Sequence, residues 1–95
     1  MYVIAAQTDA ATGHFNIASG TAVLDLDVHL LGSGETITLK QEGNGQTLNT
    51  FDDSTDVTTE DLEYPAGNYI LEKSSTAAAV GARIVGSKAT VTVKG

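Results

Sequence analysis

Apolar and polar residues alternate with a period of two along much of the chain. In Thr21–Leu31 the even positions are Ala22, Leu24, Leu26, Val28 and Leu30, and Asp25, Asp27 and His29 fall between them. Such alternation predicts a strand with one face in a core and the other in water. Glu35–Glu42 repeats it with Ile37 and Leu39 against Thr36, Thr38, Lys40 and Glu42, and Ala89–Lys94 with Val91 and Val93 against Thr90, Thr92 and Lys94. The segments Tyr2–Gln7, His14–Ala18, Gln46–Phe51, Asn68–Lys73 and Val80–Val85 read as further strands, rich in β-branched and aromatic residues. Leu24, Leu26, Val28, Ile37, Leu39, Val91 and Val93 are expected in one core.

Gly13, Ser19-Gly20, Gly32-Ser33-Gly34, Gly43-Asn44-Gly45, Pro65-Ala66-Gly67 and Gly86-Ser87 punctuate these segments. Gly and Asn supply the positive φ of tight turns, which predicts hairpins at Leu31–Glu35 and Glu42–Gln46. Ser75–Ala82 is alanine-rich but too short for an independent helix, and reads as a loop entering a strand. The longest turn-like stretch is Asp52–Glu63, with room for a short strand near Val57 or a helical turn at Glu60–Leu62. The expected architecture is all-β: one domain, residues 1–95, forming a small β-sandwich (immunoglobulin-like, fibronectin-like or jelly-roll-like) or small barrel of seven to eight antiparallel strands.

Composition narrows the function. Five basic and twelve acidic residues give a net charge of −7, unsuited to phosphate backbones or anionic lipid, so neither nucleic acid nor membrane is an expected partner. Between Gln41 and Glu72 there is no Lys or Arg, and eight acidic residues fall there: Glu42, Asp52, Asp53, Asp56, Glu60, Asp61, Glu63 and Glu72. The absence of cysteine, of a signal-peptide pattern and of a long apolar run suggests a chain made and folded in a cytosol.

Candidate chemistry is sparse. Asp52, Ser54, Asp56 and Glu63 fit four calcium-loop positions, but Val57 stands where the sharp turn needs Gly and no helices flank the loop, so a solvated acidic loop is the better reading. His14 and His29 have no paired-ligand spacing and read as surface histidines. No Ser or Thr has an identifiable base and acid, and Asp52 with Asp53 lacks the cleft that acid–base work on a polymer would need. No catalytic, cofactor-binding or metal-binding residue is assigned, and no enzyme activity or cofactor is expected.

Two resemblances add to this reading. Leu62-Glu-Tyr-Pro-Ala-Gly-Asn-Tyr69 resembles the tyrosine corner of immunoglobulin-like and fibronectin type III sandwiches, without the antibody-type Cys pair and Trp. That resemblance implies a Tyr69 hydroxyl returning to upstream backbone, with Leu62 beneath the turn. The whole chain, with phrases such as Ser19-Gly-Thr-Ala-Val-Leu-Asp-Leu and Pro65-Ala-Gly-Asn-Tyr-Ile-Leu-Glu-Lys, resembles the small β-sandwich virion proteins of tailed bacteriophages, in particular capsid decoration (cement) proteins. The resemblance implies a structural protein, made in the host cytoplasm and bound in many copies to the outer capsid surface, which it stabilises. Its partners would be the major capsid protein or another virion protein, with self-association left open. The strands at Tyr2–Ala6 and Ala89–Lys94 are the expected contact elements. The alternative is a recognition module of a fibre or adhesin, for which only Tyr2, Tyr64 and Phe51 could form a sugar-stacking surface.

Overall fold

The strand-forming segments do form strands, but two that read as separate are continuous. The computed structural model describes residues 1–28, 31–53, 60–85 and 90–94, and the side chains within them except at 19–28 and 60–63. Among the described residues there are seven strands and no helix: β1 (Tyr2–Gln7), β2 (Ala11–Val28), β3 (Ile37–Gln41), β4 (Thr47–Phe51), β5 (Glu60–Lys73), β6 (Val80–Ile84) and β7 (Val91–Val93). All pairings are antiparallel, in the order β1-β6-β2-β5-β3-β4, with β7 also on β2. This is the expected all-β fold.

β2 and β5 form a long ribbon that belongs to both layers. The early part of β2 (Phe15–Ile17) carries β7 on its free side, and the late part (Leu26–Val28) carries β6 and, beyond it, β1. On the other side of the ribbon, β5 carries β3 through Tyr69–Lys73, and β3 carries β4. Hydrogen bonding is thus continuous, while the ribbon divides the strands into two antiparallel sheets, β7-β2-β5-β3-β4 and β1-β6-β2-β5, consistent with a small sandwich.

Ser19-Gly20 and Pro65-Ala-Gly67 were expected to end strands. They instead lie opposite one another inside the ribbon, where Ile17 pairs Gly67 and Thr21 pairs Pro65. Three residues of β2 there oppose the single Ala66, a bulge that breaks the ladder locally without ending it. Gly67 has φ 154°, a conformation that side chains disfavour, and Pro is tolerated at such irregularities because a ladder N–H is already missing. The Leu31–Glu35 segment is a tight turn, with Glu35 N–H donating to the Gly32 carbonyl at 3.1 Å, but not a hairpin: β5 lies between β2 and β3. The Glu42–Gln46 turn does join a hairpin, β3–β4.

The core is one cluster: Val3 and Ile4 of β1, Phe15 and Ile17 of β2, Leu31, Ile37 and Leu39, Phe51, Tyr69 and Leu71, and Val80, Ala82 and Ile84 of β6. Val91 and Val93 are half-buried against it. The expected core positions Leu24, Leu26 and Val28 lie on β2, but their side chains are outside the described residues. Phe15 and Tyr69 stack at 5.4 Å between ring centroids. Gly13 sits under β1: a Cβ there would lie 2.4 Å from the Val3 carbonyl oxygen, so only glycine lets the layers approach this closely.

Candidate interaction surface

Three regions outside the core carry polar or exposed apolar groups. The first is the end of the sandwich where three connections meet. Lys73 continues the alternation of Tyr69 and Leu71, so its side chain enters the interior, where it is buried. Its ammonium donates to the Asp9 carbonyl (2.8 Å), the Ser74 carbonyl (3.0 Å) and Thr76 Oγ1 (2.9 Å). The buried Thr76 hydroxyl donates to the Ala78 carbonyl at 2.7 Å. Glu35 closes the cluster by accepting from Gly32 N–H (2.6 Å) and Ala77 N–H (2.9 Å). These two backbone donors, with a smaller contribution from the Lys73 charge, hold its carboxyl below the usual glutamate range. Every polar group named here is satisfied by the chain itself, so the cluster is a clasp for loops. The sequence reading had not singled out Lys73; its parity with Tyr69 and Leu71 was the signal.

The second region is the outer face of the β7-β2-β5-β3-β4 sheet. Lys40 pairs with Glu72 at 2.6 Å, and His14 Nδ1 lies 3.8 Å from Glu42. Asn16 donates to Asn68 Oδ1 at 2.9 Å, and Lys94 reaches the same oxygen at 2.7 Å. His14 is half-exposed on this face, while His29 lies outside the described residues. Of the acidic segment, Asp52 and Asp53 are described, Ser54 and Asp56 are not, and Glu63 is placed only in the backbone of β5. Among the described residues no three His, Asp or Glu side chains gather as a metal site would need.

Of the aromatics considered for sugar stacking, Phe51 is in the core. Tyr64 is half-buried and tilted against Tyr69 at 5.7 Å. The Tyr69 hydroxyl donates to the Pro65 carbonyl four residues upstream, as the tyrosine-corner resemblance implied, although it does so within β5 rather than at a turn. Burial raises its phenol above the ordinary range, keeping the donor protonated. Leu62 lies in β5, with its side chain outside the described residues.

The third region is the corner where β1 begins and β6 ends. Met1 and Ile84 exchange two backbone hydrogen bonds, Met1 N to the Ile84 carbonyl at 3.1 Å and Ile84 N–H to the Met1 carbonyl at 2.8 Å. This joins the three exposed large apolar residues among those described: Met1 (56% exposed), Tyr2 (46%) and Val85 (39%). The Arg83 guanidinium sits 6.0 Å from the Tyr2 ring centroid, at the limit of a cation–π contact. All twelve carboxylate side chains fall between Asp9 and Glu72, so β1, β6 and β7 carry none, and Lys73, Arg83, Lys88 and Lys94 follow Glu72. The corner therefore joins exposed apolar surface to carboxylate-free strands in a chain that is otherwise strongly acidic. Comparison with protein-family models, curated proteins and solved structures finds no match to this chain.

Proposed function

We propose that the chain is a non-catalytic structural module that docks through its β1–β6 corner onto a larger protein assembly, serving as a capsid decoration protein on the outer surface of a virion. The observation that carries this reading is the gathering of Met1, Tyr2 and Val85 at one corner. Clustered apolar side chains with an Arg at their margin have the make-up of an interface centre, where charge is depleted and aromatic and Arg residues are enriched. The whole-chain resemblance to phage virion proteins supplies the kind of assembly. Repeated docking on a lattice would also stabilise this small, disulfide-free domain by mass action.

The test is co-sedimentation of the protein with capsids of the virus that encodes it, at low and raised salt. Removing Met1–Ala6 would take Val3 and Ile4 out of the core, so the informative variant is Tyr2→Ser with Val85→Ser. Its affinity for the capsid should fall about tenfold or more, equivalent to roughly 1.4 kcal/mol, with the fold retained. Asp52→Asn with Asp53→Asn should bind as wild type, and modest salt should not release the native protein. Wild-type protein left in the supernatant, or undiminished binding of the corner variant, would refute the proposal.

A further inference from the structure

Strand edges with no strand beside them among the described residues include β1, β4, β7 and the Glu60–Tyr64 stretch of β5. Unpaired edges invite other chains, and proteins protect them with charge, proline, bulges or short length. Three of these are protected. The β5 stretch carries Glu60, Asp61, Glu63 and the adjoining Pro65. β7 has three residues and is followed by Lys94. β1 is bulged twice, and its Ala5 carbonyl accepts from the amide of its own Gln7 at 3.1 Å.

β4 is different. Thr47-Leu-Asn-Thr-Phe51 contains no charge, proline or glycine, and its one irregularity, at Leu48, leaves Asn49–Phe51 regular. Leu48 is half-buried, so a further strand would complete the cover of an apolar residue already packed on the core.

We infer that β4 is a self-pairing edge, to which a second copy of this chain adds its own β4 in antiparallel orientation about a two-fold axis. Charge selects that orientation. Asp52 and Asp53 follow the Phe51 end of β4 directly, whereas the residues next to its Thr47 end, Gly45 and Gln46, are uncharged. Antiparallel pairing sets the acidic end of each strand beside the Thr47 end of the other and keeps the two acidic ends apart. Parallel pairing in register would bring Asp52 against Asp52 at about the 4.8 Å strand spacing. The two-fold interface uses the same surface twice and closes on itself, giving a discrete dimer. β4 and the β1 corner lie at opposite ends of the strand order, so this inference is independent of the docking proposal.

Each copy carries a net charge of −7, so the long-range force opposes association and salt should strengthen it by screening. Sedimentation equilibrium over micromolar concentrations should find a monomer–dimer equilibrium that shifts toward dimer as salt is raised. Thr50→Lys, at an exposed position of the strand, should weaken the dimer at least tenfold while leaving the circular dichroism unchanged. The chain has no cysteine, so Thr50→Cys should form a disulfide-linked dimer under mild oxidation, and Thr12→Cys on the interior strand β2 should not. A monomer at every salt concentration, an open-ended aggregate, or a dimer indifferent to Thr50→Lys would overturn the inference.

Discussion

Lys73 and Lys40 are separated by one strand pairing, yet the protein uses their identical ammonium groups in opposite ways. Lys40 stands on the outer sheet face, a third exposed, against a Glu72 carboxylate that is itself well exposed. Lys73 is 4% exposed and is held by two backbone carbonyls and a hydroxyl, with no carboxylate among its direct hydrogen-bond partners. Coulomb attraction at the surface is largely returned to water and salt. In the interior, loss of the donor would strand the acceptors it serves. The more conspicuous ion pair should therefore be the less important one.

Three substitutions sharpen that comparison, beginning with the largest effect. Lys73→Met keeps the aliphatic stem but removes the donor from the Asp9 and Ser74 carbonyls and from Thr76. It should lower stability by about 1–3 kcal/mol, the cost of leaving buried polar groups unpaired, read as a lower urea midpoint. An unchanged midpoint would mean that water replaces the ammonium at no cost.

Glu35→Gln should have a smaller effect, with a pH signature. The folded-state carboxyl is held below its usual range by the Gly32 and Ala77 amides. Its contribution is therefore present above the unfolded pKa and is lost as pH falls through the lowered folded value. Melting temperatures of wild type and variant should differ at neutral pH and converge in acid. A difference independent of pH would assign the effect to packing.

The smallest change is expected for Lys40→Met: under about 1 kcal/mol in low salt and less as salt rises. A loss approaching that of Lys73→Met would reverse the ranking of the two lysines.

The alternation of Ile37 and Leu39 with Thr38 and Lys40 was legible because β3 is short and faces water on one side. The ribbon was less legible because its residues have two uses. Ser, Gly and Pro terminate strands when met singly, but matched across a pair they make a bulge that both strands traverse. The chain did carry a sign of this. Apolar positions in β2 change from odd (Phe15, Ile17) to even (Ala22, Leu24, Leu26), and in β5 from even (Leu62, Tyr64) to odd (Tyr69, Leu71). Both changes occur where the register slips. The exposed apolar corner was legible only in part: Tyr2 opens a strand that the sequence marks out, but its union with Val85 depends on an 83-residue separation that no local pattern reveals.

That separation also governs the order of assembly. β1 leaves the ribosome before the other described strands, yet its partner β6 follows four of them. Until β6 is made the uncharged Tyr-Val-Ile-Ala-Ala-Gln segment lacks its described strand partner, and its pairing must await closure of the long loop between Gln7 and Val80. Such closure places folding among the slow, non-local β topologies, from milliseconds to seconds. The interval before β6 arrives is when a neighbouring nascent chain competes most effectively for that strand.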